Sequence, residues 1–225
     1  MQKAAYRMME EYMLSCSPDR AHDAEHVYRV LGNALMIAKD EQQVNYDVLI
    51  AACLLHDVGR PEQMADKRVC HAMLGGEKAY AFLTSHGYDA SFADHVRACI
   101  QSHRFRKSAP PESIEARILF DADKLDVAGA IGIARTLIYN GAAGTPIYSR
   151  REDGSISNGE GDQEDSFCRE YTFKLRHVYD RFFTAKGAAL AQERRAAAER
   201  FYRELCDEVM QGSHAGDAAL EQLLE

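Results

Sequence analysis

Residues 48–57 of this 225-residue chain, VLIAACLLHD, run apolar for eight positions and then close on a histidine and an aspartate, just ahead of Gly59 and Pro61. This is the most hydrophobic helical segment of the sequence, so it belongs in a core. Buried segments rarely tolerate two such polar groups unless something binds them. Spanning a bilayer takes about 20 apolar residues, far more than this run offers. Whatever the chain folds into must therefore bury this segment and find a use for His56 and Asp57.

The rest of the chain reads as helix after helix. Residues 23–39 carry Val27, Val30, Leu31, Ala34, Leu35 and Ala38 at the 3-and-4 spacing of one apolar face. Asp47 is expected to cap the 48–57 helix, with Gly59 and Pro61 ending it. Further helices are predicted over 70–85, stopping near Gly87, and after a cap at Asp89 or Ser91, carrying Phe92, Val96, Cys99 and Ile100. A long apolar helix is predicted over 113–139, softly interrupted by Gly129 and Gly132, whose small size suits close packing. Residues 140–163 are rich in Gly, Ser and charge and read as a loop, long enough to point to function or mobility. Two more helices are expected over 166–184 and 186–211, followed by a frayed tail from Gly212. No run alternates with period two for long enough to make a sheet. The expectation is an all-α chain, one helical bundle domain over 1–211 with its core at about 20–140 and a C-terminal helical pair.

Composition narrows the partners. The hydrophobic share of 46% and charged share of 28% are those of an ordinary globular protein. A net charge of −8 argues against general binding to a nucleic-acid duplex, which needs a basic surface to release counterions. Glu10 and Glu11 fall where an export signal would need an uncharged stretch. The six cysteines are scattered with no close CxxC pair, and those inside helical patterns read as small hydrophobes. A cytoplasmic protein without membrane attachment, structural zinc or disulfides is expected.

Several polar residues sit in segments that otherwise look like core. His26 lies on the apolar side of its helix, four residues after His22; His56–Asp57 ends the most hydrophobic helix; ILFDADKLD (118–126) places Asp121 and Asp123 in another apolar stretch. Each buried polar group must find a partner or cost roughly 1–3 kcal/mol. One divalent cation would satisfy them together. Imidazole and carboxylate without thiolate suit Mn, Mg, Fe, Ni, Co or Zn. Adjacent helical positions point about 100° apart, so His56 and Asp57 could share an ion only where the helix ends and the backbone turns. These residue types leave open whether Asp121 or Asp123 takes part.

These segments resemble the HD-domain metal-dependent phosphohydrolases, whose order is H…HD…D. The segments HDAEHVYRV (22–30), LLHDVGR (54–60), IQSHRF (100–105) and EARILFDADKLDVAGAIGIAR (115–135) are similar to the bacterial YedJ/YpgQ-type subgroup, as are FKL (173–175) and the region of Thr184, Lys186 and Gly187. The resemblance implies an all-α HD fold and a metal set of His26, His56, Asp57 and Asp123, with ADKL matching the family's AD(R/K)L. It implies hydrolysis of phosphate esters or anhydrides, with nucleotides as the expected substrates and release of pyrophosphate from nucleoside triphosphates among the reactions. Cyclic-nucleotide phosphodiesterase activity and a non-catalytic metal- or ligand-binding module are the alternatives.

One ion is expected. His71 and His103, lying between HD and the final aspartate, are open to three roles: ligands for a second ion, contact with phosphate or general acid catalysis, or capping of helix ends. Asp57, His103 and His71 are the candidate catalytic residues. Arg60, Arg104 and Lys124, with Lys67 and Arg106 nearby, are candidate phosphate contacts. Arg60 departs from HD nucleotidases that carry an acidic residue at that place, and Glu62 is the nearest stand-in. His22 is expected to orient a ligand or to start its helix, Asp121 to orient a ligand or contact a basic group, and Asp126 to lie on the helix surface or the substrate side. The expected partner is a small phosphorylated molecule; a homodimer is compatible with the sequence.

Overall fold

The computed structural model describes residues 1–16, 23–104 and 110–224. His22 and Arg106 lie outside them. Every regular element among the described residues is a helix, with a single isolated bridge between Arg150 and Ile156 as the one β feature among them. The all-α expectation holds. No helix among the described residues is long and apolar enough to cross a membrane.

The chain divides into two compact units, Met1–Asp126 with Phe182–Ala189, and Val127–Arg181 with Leu190–Glu225. The first unit contains α1 (Lys3–Cys16), α2 (Asp23–Ala38), α3 (Tyr46–Leu55), α4 (Arg60–Ala65), α5 (His71–Ser85), α6 (Ala90–Ser102) and α7 (Ile114–Leu125). Helix α3 is its centre. Val48, Leu49 and the five residues from Ala51 to Leu55 are all buried, and α1, α2, α5, α6 and α7 pack around it. A helix apolar on all sides can only be stable in such a place. The cap of α3 is Asn45, whose side chain accepts from the Asp47 and Val48 amides, so Asp47 sits inside the first turn where its charge favours the helix dipole. Gly59 and Pro61 do end α3, and they also start α4, with Pro61 in its first turn.

Gly59 has an ordinary φ of −96°, so what it supplies is space: a Cβ there would lie 2.5 Å from the His71 carbonyl oxygen and 2.8 Å from the Gly75 nitrogen. Gly75 returns the favour, its own Cβ position being 3.3 Å from the His56 carbonyl. The start of α5 is thereby held against the turn that carries His56 and Asp57.

The predicted 113–139 helix is two helices. Helix α7 stops at Leu125, and α8 (Gly129–Ala142) begins at Gly129, whose φ of +67° no other residue adopts cheaply. The second unit contains α8, the loop to Ser166, α9 (Phe167–Phe173), a 3-10 turn over Leu175–Asp180 and most of α10 (Ala185–Leu224), which starts in the first unit. The predicted 166–184 helix is thus broken at Lys174 and finished by 3-10 geometry, and α10 continues through 212–224, where a frayed tail was expected. Tyr171 stacks on Tyr202 with centroids 3.9 Å apart, and Phe167 meets Phe201 edge-on. The loop is tied to itself: Asp162 accepts from the Ser149 and Ser157 hydroxyls at 2.5 and 2.7 Å, and Ser157 is buried.

Candidate metal centre

Six candidate residues of the first unit converge, and each stands at or just beyond a helix end. His26 is on the first turn of α2, His56 caps the C-terminus of α3 with Asp57 next along the chain, His71 opens α5, His103 caps α6, and Asp123 is in the last turn of α7. The turn after Leu55 is what lets His56 and Asp57 face the same place. His26, His56, His71 and His103 are all buried. Their rings form a row in the order His26, His56, His103, His71, with successive centroids 5.2–5.3 Å apart.

The ring nitrogens are sorted by their surroundings. His56 Nδ1 is 2.7 Å from the Cys53 carbonyl and His103 Nδ1 is 2.5 Å from that of Ile100. A carbonyl only accepts, so both Nδ1 atoms carry the proton. Each ring thus donates to a carbonyl in the last turn of its own helix. His26 Nδ1 donates to Asp126 Oδ2 at 2.7 Å. Gln63 gives its amide N–H to the Val69 carbonyl, leaving its oxygen to accept from His71 Nδ1 at 2.7 Å. Every Nε2 is therefore turned inward, and helix capping and metal ligation are compatible uses of one imidazole.

Two groups of inward atoms result. In the first, His26 Nε2 lies 3.3 Å from His56 Nε2, 3.2 Å from Asp123 Oδ1 and 3.6 Å from Asp57 Oδ2. In the second, His71 Nε2 lies 3.3 Å from His103 Nε2 and 3.5 Å from Asp57 Oδ1, which is 3.9 Å from His103 Nε2. Asp57 faces one group with each oxygen. The ligand atoms of His26, His56 and Asp123, and those of Asp57, His71 and His103, each fall within 4.8 Å of one another. Two imidazole nitrogens facing at such range repel unless a proton or a metal ion lies between them. Asp57 Oδ1 is buried with no hydrogen-bond partner, which is costly for a carboxylate oxygen. The donor set fits a divalent cation in the first group, and the second group has the same character.

Burial opposes charge on His26, but the Asp123 and Asp126 carboxylates outweigh it and hold its pKa at about 9, so without a metal its Nε2 keeps a proton against Asp123 that a cation would have to displace. Burial brings His56 down to about 4, and burial with the Arg60 charge brings His71 to about 3, so both are neutral and able to ligate. Asp57 would be pushed up by burial, yet the surrounding imidazoles and Arg60 hold it well below the ordinary carboxylate range. Asp123 is likewise held down against burial by its hydrogen bond to His26.

Asp121, the competitor for Asp123, points elsewhere. Its carboxylate accepts from the Phe183 amide at 2.9 Å and from the Thr184 amide and hydroxyl at 2.7 Å. It fastens the segment before α10 to α7 and orients no ligand. Asp126, expected on a surface or the substrate side, is 1% exposed and accepts from His26 and Arg29. The reason is spacing: three residues after Asp123 on the same helix, it shares that residue's face. Of the candidate phosphate contacts, Arg60 Nε donates to Asp57 Oδ2 at 2.9 Å, and Arg104 NH1 lies 3.2 Å from His71 Nδ1 and 3.4 Å from Gln63 Oε1. Lys124 lies over the Phe120 and Phe182 rings, and Lys67 is exposed. Glu62 is held by Lys78 at 2.8 Å. Sequence reasoning missed Gln63, for which no signal existed, and Arg29, which stands three residues after His26 on the same face of α2.

A family model described as HD domain matches residues 23–128, a span containing all of these groups. The protein YpgQ of Bacillus subtilis (strain 168), named as uncharacterized, is 30% identical over 189 residues, 82% of either chain. The crystal structure of a predicted HD superfamily hydrolase from an uncultured Thermotogales bacterium has 29% identity and a TM-score of 0.60, covering 90% of this chain and 91% of that one. That of Bacillus subtilis YpgQ in complex with ADP has 25% identity and a TM-score of 0.68, covering 90% and 97%. The chain belongs to the HD-domain superfamily, whose fold and H…HD…D order it carries. Within that superfamily it falls in the YpgQ-type group, and its hydrolase relatives support a hydrolase.

Proposed function

We propose that the protein is a metal-dependent phosphohydrolase of nucleotides, releasing pyrophosphate from nucleoside triphosphates. The convergence of inward Nε2 atoms with Asp57 and Asp123 carries this reading. His26, His56, Asp57 and Asp123 would hold the ion, and Asp57 with His71 and His103 would offer a second place. When bound, a divalent cation supplies Lewis acidity and charge neutralisation for phosphoryl transfer. Arg60 and Arg104, already beside Asp57 and His71, can turn guanidinium N–H groups toward phosphate oxygens, and Lys124 adds a point charge next to Asp123. His103 Nε2, its Nδ1–H fixed by the Ile100 carbonyl, can hold or hand over a proton to a leaving oxygen. The ADP complex of YpgQ favours a nucleotide over other phosphate esters.

The test is a screen of the Mn2+-loaded protein against nucleoside tri-, di-, mono- and cyclic phosphates, with phosphate and pyrophosphate assayed separately. Pyrophosphate release from triphosphates is expected. Turnover of the cyclic substrates alone would make it a phosphodiesterase, and no turnover of any would leave a binding module.

A further inference from the structure

Asp126 is almost wholly buried and makes two commitments at once. Its Oδ2 accepts from His26 Nδ1 at 2.7 Å, and Arg29 grips it with two N–H groups, Nε to Oδ1 at 2.7 Å and NH2 to Oδ2 at 3.0 Å. Arg29 and His26 stand three residues apart on α2, so helix geometry presents both to the same carboxylate. We infer that Asp126 is a positioning residue: braced by Arg29, it keeps the lasting ring proton of His26 on Nδ1, so that Nε2, aimed at Asp57, Asp123 and His56, is the nitrogen that gives up its proton to a cation. The inference rests on the metal-centre reading above and adds to it the group that makes His26 a ligand.

The chemistry of the bracing sets the direction of a test. A carboxylate can only accept, so it satisfies three donors without ambiguity. An amide in the same space cannot. With its oxygen toward His26 Nδ1 and Arg29 NH2, its NH2 meets the Arg29 Nε–H donor and the brace is lost. With its oxygen toward Arg29 Nε, its NH2 meets Arg29 NH2 and His26 Nδ1 and drives the ring proton to Nε2, where it blocks ligation. In both, the carboxylate charge that supports His26 is gone. An isosteric change can thus spoil the site while leaving the fold alone. Losing an outer partner of a ligating histidine typically costs about 10–100-fold in metal affinity.

Mn2+ binding followed by equilibrium dialysis, with the free ion read by electron paramagnetic resonance, is the experiment. Asp126→Asn is expected to bind Mn2+ at least about tenfold more weakly than the wild type, with unchanged far-ultraviolet circular dichroism. Asp126→Glu is expected to recover part of the loss, and Arg29→Met to lose less than Asp126→Asn. Affinity of Asp126→Asn within twofold of wild type overturns the proposal. Should that variant not fold, nuclear magnetic resonance of 15N-histidine-labelled, Zn2+-loaded wild type decides: a slowly exchanging Nδ1–H on His26 supports the proposal, and an Nε2–H on His26 overturns it. Absence of Mn2+ binding by the wild type would instead remove the metal centre itself, and the proposal with it.

Discussion

Asp121 and Asp123 differ by one short step along α7 and have opposite surroundings. Asp123 meets imidazole nitrogen, whereas Asp121 meets two backbone amides and a hydroxyl. Asp123→Ala should therefore lose metal and activity with modest loss of stability. Asp121→Ala should keep its metal and lose about 1–3 kcal/mol, because buried donors at Phe183 and Thr184 go unpaired. Metal analysis and urea unfolding of the two variants check the split. The histidines set a pH dependence in chelator-treated protein. His26, raised to about 9, contributes stability that is complete below its unfolded pKa near 6.5 and is lost as pH climbs through 9. His56 and His71, lowered to about 4 and about 3, act the other way, and stability falls as pH drops below 6.5. Thermal melts across pH 4–10 should peak near neutrality, at about pH 6.5, and the alkaline fall should vanish in His26→Gln. A melting curve still rising between pH 7 and 9 would contradict the assignment.

At the scale of elements, the site exists because five helices end at one place. Gly59 and Gly75 are the tightest point of that arrangement, and Gly59→Ala must displace the His71 backbone. It should cost about 1–3 kcal/mol, as overpacking does, and weaken metal binding through His71 while sparing His26. Differential scanning fluorimetry with and without Mn2+ measures both effects. The helices were legible because apolar residues recur at 3.6 spacing and α3 is apolar all round. The convergence of the candidate residues was legible in part, because histidine and aspartate stand out in such apolar segments, while the choice of Asp123 over Asp121 came from the resemblance. The break between α7 and α8 was not, since DVAGAIGIA continues the apolar pattern and only the backbone of Gly129 reveals the turn. Asn45 and Asp47 are both good caps, and sequence alone does not choose between them. The partnership of Asp126 with His26 spans 100 residues, beyond any local pattern.

At the scale of the molecule, an acidic chain gathers Arg60 beside Asp57 and Arg104 beside His71, the local charge a phosphate needs against a global −8. A ligand that binds only the folded state raises its stability by mass action. Mn2+ should therefore raise the melting temperature, and a chelator should reverse the gain. Asp57 is the residue on which the whole account turns, since each of its oxygens faces a different group of ligands. The most direct test is the Mn2+ content of Asp57→Ala after equilibrium dialysis, beside the wild type. The account predicts that the variant folds and holds Mn2+ at no more than background, at either group. A folded Asp57→Ala protein with the metal content of the wild type would contradict it.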